Sequence, residues 1–374
     1  MGAMNELIDK AAVVRLRDAL AAASPGSSWT RLEASIEGLD SLNLRGRTDL
    51  VSDALLEDLL AAQAAEYPTA ARIFRAALGQ EAFTGWMLWP VSEAAVTLAL
   101  KAGNIKASNM DDFDDCLRLL SELTPRLTGE FAIRRLLSVD PDRALARILE
   151  WTTHPNEHVR RLASEGTRPY LPWAVRVPKL LKQPEATLPI LHALYRDSHE
   201  YVRRCVANHL NDIARHAPDL VVATAAAWLA EPDANTPWVV RQGLRTLIKK
   251  AHPGALAVLG FAPAAVAVSA PRLDRDVVMM PSDLAFEFEI SNSSAAPARL
   301  AVDYVIHYVK ASGLHAEKVF KLAALTLEPG ETRLLAKRHA FRPMTTRVHY
   351  PGVHALELQV NGERHAWTEF TVEA

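Results

Sequence analysis

One polar phrase recurs along this chain at a spacing that few architectures accommodate. Glu157-His-Val-Arg-Arg-Leu-Ala-Ser-Glu165 and Glu200-Tyr-Val-Arg-Arg-Cys-Val-Ala-Asn208 share a Val-Arg-Arg core after a short His-containing turn. A looser copy, Trp238-Val-Val-Arg-Gln-Gly-Leu-Arg245, follows Pro237. The steps between copies are about 43 and 38 residues, the period of HEAT or armadillo helix pairs. Such a pair cannot bury its apolar face alone, so the repeat predicts stacked pairs, an α-solenoid. The pairs are expected at 140–153 with 156–168, 184–197 with 200–216, and 218–230 with 237–251.

On a helix, positions four apart share a face. Arg161, Glu165 and Arg168 are therefore expected as one stripe, with Arg204, Asn208 and Asp212 in the second copy and Arg241, Arg245 and Lys249 in the third. Upstream, Glu130 and Arg134 share the same spacing. Stacked repeats would set these stripes along one groove, and a succession of guanidinium groups suits phosphates, because each contact releases counterions. Carboxylates in such a groove need a separate reason, since phosphates repel them. Two readings of Glu130, Glu165 and Asp212 stay open at this point. One is ion pairing with neighbouring arginines, worth ~0–1 kcal/mol at a surface. The other is stabilisation of a sugar carbon that develops positive charge during glycosidic cleavage. Trp173 and Trp238 are either core residues or stacking surfaces for a cationic base.

A chain of 374 residues has material for two domains. The net charge of -2 conceals an asymmetry: residues 126–262 hold 19 basic and 13 acidic side chains, about +6, which leaves the remainder near -8. A basic module sits in an acidic chain. Cys116 and Cys205 are too few for a disulfide framework and suit a reducing compartment. The first residues lack a secretory pattern and the longest apolar run, 220–230, is too short to span a bilayer, so a cytoplasmic, nucleoid-associated protein is expected.

Further helices are expected at 5–23, 29–39, 49–65, 69–78 and 91–102, and the aromatic segment 83–90 reads as core packing. Asp111, Asp112, Asp114 and Asp115 lack the glycine and terminal glutamate of a calcium loop and read as a solvated helix N-terminus. His154 and His158 have no third ligand at motif spacing. Composition changes near Gly260. Beyond it, 284–290, 300–308 and 355–360 alternate as half-buried strands, and Asn361-Gly is a hairpin signal. The fold expected is mainly α, a HEAT-like repeat domain over 1–262, followed by a small immunoglobulin-like β-sandwich over 263–374 that lacks the usual cysteine pair.

Several segments carry a more specific likeness: Phe83-Thr-Gly-Trp-Met-Leu-Trp-Pro-Val91, Leu127-Thr-Gly-Glu-Phe-Ala-Ile-Arg134, Val159-Arg-Arg-Leu-Ala-Ser-Glu-Gly-Thr-Arg-Pro-Tyr-Leu-Pro-Trp173 and His209-Leu-Asn-Asp212. Together they resemble the AlkC-like DNA alkylation repair glycosylases, relatives of the AlkD family of HEAT-like repeats. Thr345-Thr-Arg-Val-His-Tyr-Pro-Gly-Val-His354 resembles the immunoglobulin-like domain that some of these proteins carry. One departure is Arg135-Leu-Leu, where the family more often continues with Pro-Phe.

The resemblance implies a glycosylase that excises 3-methyladenine and 3-methylcytosine from duplex DNA without drawing the nucleotide into a deep pocket. It places Glu130, Glu165 and Asp212 around the lesion and Trp173 beside its sugar. Phosphate contacts are then expected from Arg134, Arg161, Arg168, Arg204, Arg241, Arg245 and Lys249, with sandwich contacts from a basic loop near Lys337-Arg-His or Thr345-Thr-Arg347. The arginines are expected to favour ionised carboxylates. The partner is double-stranded DNA bearing alkylated bases, with no cofactor, no metal and no membrane, and a monomer is expected. The alternative is a noncatalytic DNA-binding or scaffolding solenoid.

Overall fold

Short polar side chains open several of the helices. Asp9, Asn43, Asp140 and Asn156 accept backbone N–H groups of Ala12, Gly46, Arg143 and His158, caps worth about 1 kcal/mol each. They start the helices Lys10–Ala23, Leu44–Ala61, Pro141–Glu150 and Glu157–Glu165. The second begins ahead of the expected 49, because the Asn43 cap precedes an apolar stripe that includes Leu44 and Val51. The computed structural model describes residues 2–101, 110–342 and 349–373. Contacts divide the chain into two units: Met1–Ala217 with Pro232–Gly243, and Pro218–Glu231 with Leu244–Ala374. The expected boundary after residue 262 falls inside the second unit.

In the first unit the helices Glu157–Glu165, Glu200–Ile213 and Thr236–Gly243 pack in succession, as the repeat predicts. Val159, Val202, Val239 and Val240 are fully buried between them. The first arginine of each Val-Arg-Arg phrase folds back on the preceding turn. Arg160 Nη1 donates to the carbonyls of His154 (2.8 Å) and Pro155 (2.9 Å), and Arg203 Nη1 to those of Asp197 (2.6 Å) and Ser198 (2.9 Å). Half of the repeated phrase is thus a loop clamp.

The aromatic segment does pack inside: Phe83 and Trp89 are buried, and Trp89 stacks on Phe131 at 4.4 Å. Two of the four clustered aspartates depart from the solvated reading. Asp114 accepts from Arg143 and Arg147, and Asp115 from Arg75 and Tyr67, so the helix Met110–Leu123 is tied to its neighbours through its acidic end.

Among the described residues of the second unit, nine strands form two sheets: β1 Val266–Val268, β2 Arg272–Leu273, β3 Val277–Met279, β4 Ser282–Asn292, β5 Ala298–Val309, β6 His315–Leu327, β7 Thr332–Phe341, β8 Gly352–Val360 and β9 Glu363–Glu373. One sheet runs β1-β4-β2 with β7 also paired to β4; the other runs β3-β9-β8-β5-β6. Alternate residues of β4 (Leu284, Phe286, Phe288, Ile290) and of β5 (Leu300, Val302, Tyr304, Ile306) share one core, the sandwich predicted by their period of two. Asn361 and Gly362, at φ 46° and 89°, make the hairpin between β8 and β9. Lys337-Arg-His lies within β7 rather than in a loop, and His339 is buried between Tyr304 and Tyr308. Arg347 lies outside the described residues.

Candidate active site

The centre of the site is the C-terminal half of the helix Glu157–Glu165. Its 3.6-residue period carries Arg161 and Glu165 to one face, and the chain delivers Arg168 there just past the helix end. Arg161 Nη2 lies 3.5 Å from Glu165 Oε1, and Arg168 Nη1 donates to the same oxygen at 2.7 Å. Each arginine also reaches into a neighbouring element. Arg161 Nη1 donates to Glu130, in the turn before the helix Ile133–Val139, and to Thr128 Oγ1 at 3.2 Å. Arg168 Nε donates at 2.9 Å to Asp212 Oδ2, near the end of the helix Glu200–Ile213.

The result is one alternating chain, Glu130–Arg161–Glu165–Arg168–Asp212. All three carboxylate residues are buried, at 8%, 6% and 3% exposure. With every group ionised, three carboxylates and two guanidinium groups leave a formal charge of -1. Low-dielectric surroundings make that charge act at longer reach than it would in water.

Ionisation differs from the expectation at one member. Burial pushes the Glu130 carboxyl above the usual carboxylate range; Arg161 pulls it back, and Glu165 adds to the rise. Desolvation therefore outweighs the arginine there. Arg161 and Arg168 are held more firmly protonated than usual, their burial outweighed by the carboxylates on either side.

Beside this chain stands a cationic cluster that spacing alone did not reveal. The Tyr170 backbone N–H donates to Asp212 Oδ2 at 3.3 Å, and the Tyr170 ring carries the guanidinium groups of Arg176 at 4.7 Å and Arg215 at 4.3 Å from its centroid. His216 stacks on the same ring and bonds its hydroxyl. Among the described residues, neither Arg176 nor Arg215 has a carboxylate within ion-pair distance. The one hint in the sequence is Arg215-His216 directly after a helix that ends near Asp212, where cations also favour the helix dipole.

Trp173 occupies the loop between Glu165 and the helix Pro178–Lys182. It is 66% exposed and holds a left-handed backbone, φ 62°, a conformation costly for a bulky side chain, of order 1–3 kcal/mol. Arg134 holds this loop in place. Its guanidinium is fully buried and donates to the carbonyls of Gly166 (3.0 Å), Arg168 (2.9 Å) and Val175. Burial, with Arg176 and Arg168 nearby, lowers its pKa to about 10.

Several sequence-derived assignments change accordingly. Arg134 faces three carbonyls rather than solvent and does not pair with Glu130, because Glu130 sits in a turn and not on the same helix. Arg204 is rotated away from Asp212, lies exposed and pairs with Glu200 at 2.6 Å. The face of that helix turned to the site carries Tyr201, Cys205 and Asp212 instead: the Arg161 guanidinium lies 5.3 Å from the Tyr201 ring, and Cys205 meets Glu165. Arg241, Arg245 and Lys249 are exposed but share no continuous helix, since one ends at Gly243 and the next starts at Arg245. A Cβ at Gly243 would lie 2.7 Å from Leu210, so the close packing that needs this glycine coincides with the break.

A helical-repeat unit holding a buried acid–arginine chain, together with an immunoglobulin-like unit, defines the class of protein. Residues 119–247 match the family described as "DNA alkylation repair enzyme", and residues 267–374 the one described as "Uncharacterised protein YhaZ, C-terminal Ig-like domain". The Bacillus subtilis protein named "Uncharacterized protein YhaZ" is 36% identical over 261 residues, 70% of this chain and 72% of that one. The solved Pseudomonas fluorescens alkylpurine DNA glycosylase AlkC, bound to DNA containing an abasic site analog, superposes with a TM-score of 0.74 at 34% identity, covering 99% of both chains. The chain belongs to the AlkC-like family of DNA alkylation repair proteins with a C-terminal immunoglobulin-like domain.

Proposed function

We propose that this protein is a DNA glycosylase that releases cationic N-alkylated bases, 3-methyladenine and 3-methylcytosine, from duplex DNA by hydrolysing the N-glycosidic bond. The observation that carries this reading is the net negative chain Glu130–Arg161–Glu165–Arg168–Asp212 beside an uncompensated pair of arginines. A site built only to hold phosphates gains nothing from three buried carboxylates. One that holds phosphates at its margin and a cationic sugar at its centre uses both.

The chemistry follows from the substrate. A base alkylated on a ring nitrogen already carries positive charge, so when the bond from C1′ breaks, the electron pair leaves with a neutral base and no strong general acid is needed. The sugar is left with oxocarbenium character, which carboxylates fixed in advance stabilise. A water then bonds to C1′ and passes a proton to a carboxylate. Exposed Trp173 suits contact with a sugar that stays in the duplex, in keeping with base release without a deep pocket. The test is direct: duplex DNA containing 3-methyladenine or 3-methylcytosine should yield free methylated base and abasic sites with the wild-type protein. Binding without base release would leave a noncatalytic DNA-binding solenoid.

Arg176 and Arg215 supply the phosphate contacts in this reading. Arg215→Ala is expected to weaken binding similarly for all sequences and to flatten the slope of log K against log salt by about 0.9, one phosphate contact. An unchanged slope would remove Arg215 from the interface.

The raised Glu130 pKa gives a pH signature. If its carboxylate must be ionised, the acid limb of the single-turnover rate lies above the range of an ordinary glutamate. For folding the sign is opposite: a raised carboxyl contributes stability below its unfolded-state pKa and loses it as pH rises through the folded value. Rate and this stability contribution therefore move in opposite directions with pH. An acid limb at the ordinary glutamate position would exclude Glu130 from the rate-determining ionisation.

A further inference from the structure

The two oxygens of Glu165 have different surroundings. Oε1 receives Arg168 and Arg161, at 2.7 and 3.5 Å. At Oε2 the hydrogen-bond donor among the described residues is the thiol of Cys205, with Sγ at 2.8 Å. Cys205 lies one helical turn after Tyr201 on the helix Glu200–Ile213, is 3% exposed, and also approaches the Arg161 carbonyl at 3.7 Å.

We propose that Cys205 is a positioning residue for base release: its S–H holds the Glu165 carboxylate in one rotation and leaves most of the negative charge of Oε2 available to the sugar. The inference rests on the glycosylase reading given above. A terminal carboxylate torsion is soft and broadly two-fold, so packing alone does not fix it. A third guanidinium at Oε2 would fix it but neutralise it. A thiol is a weak, neutral donor that orients the oxygen and leaves its charge.

The thiol must remain protonated to do this. Burial, and after it the Glu165 charge, holds Cys205 well above the ordinary thiol range, with Arg161 pulling the other way. The same elevation makes it a poor nucleophile. The charged and titratable groups around Glu165 are Arg161 on its own helix, Arg168 beyond it, Glu130 from the preceding turn, and Tyr201, Cys205 and, through Arg168, Asp212 from the packed helix.

The experiment compares full-length wild type, Cys205→Ala and Cys205→Ser in single-turnover release of 3-methyladenine. Cys205→Ala should slow release about tenfold, the loss of one hydrogen bond to a charged group. Cys205→Ser should restore most of the rate, less completely if its hydroxyl also bonds within its own helix. Loss of rate that Cys205→Ser fails to restore, or an unchanged rate, overturns the proposal.

The infrared S–H stretching band, isolated as wild type minus Cys205→Ala, separates this idea from the glycosylase reading. It should lie at lower frequency than the same band in Glu165→Gln. If wild type releases no base, the glycosylase reading fails, and this band still decides whether the thiol binds the carboxylate: coincident bands would overturn the positioning role.

Discussion

Glu165→Gln is expected to slow base release by about 10²–10³-fold, the usual consequence of removing one pre-oriented electrostatic group. Affinity for undamaged duplex should stay the same or tighten. The reasoning is one of charge and geometry. Glutamine keeps the shape of the side chain and an oxygen for Arg161 and Arg168, but changes the formal charge of the buried chain from -1 to zero. A cationic sugar loses its counter-charge while the phosphates lose a repulsion. Single-turnover kinetics and equilibrium binding on the same duplex check both halves. A variant that binds DNA less tightly and excises at the wild-type rate would assign Glu165 to the fold.

Arg134→Met should lower unfolding free energy by about 3 kcal/mol, measured by urea denaturation. The guanidinium serves three buried carbonyls, those of Gly166, Arg168 and Val175. Each unpaired acceptor costs ~1–3 kcal/mol, partly offset by relief from burying a cation whose Nη2 has no partner. The same change frees the loop that presents Trp173, so base release should fall with stability while the salt slope of binding holds. A phosphate-contacting arginine would behave in the reverse way, with a flatter slope and stability within ~0.5 kcal/mol.

These two residues mark the limit of what the sequence makes legible. Helical spacing was legible: it set Arg161, Glu165 and Arg168 on one face, and they touch, although Arg168 lies just past the helix end. The alternating strands and the Asn361-Gly362 turn were legible for the same reason, since their determinants lie within a few residues. What joins the site crosses repeats. Arg161 meets Glu130 from 31 positions away and Arg168 meets Asp212 from 44, distances over which sequence period carries no phase.

Rotation by one residue also separates roles within a single phrase. Arg160 ties down the turn before its helix while Arg161 enters the site. Arg203 repeats the clamp, and Arg204, one position on, faces solvent. Spacing could not show that Arg134 points inward, or that Tyr170 gathers Arg176 from a loop and Arg215 from the turn after a helix.

The claim that the buried acids face a positively charged deoxyribose has one direct measurement: compare the affinity of the wild-type protein for two duplexes that differ only at an abasic position, one bearing a neutral tetrahydrofuran nucleotide and the other a protonated pyrrolidine nucleotide. The account predicts that the pyrrolidine duplex binds tighter by about 10²-fold or more, and that Glu165→Gln and Asp212→Asn each erase most of the difference. Equal affinity for both duplexes, or a preference that survives both substitutions, would contradict it.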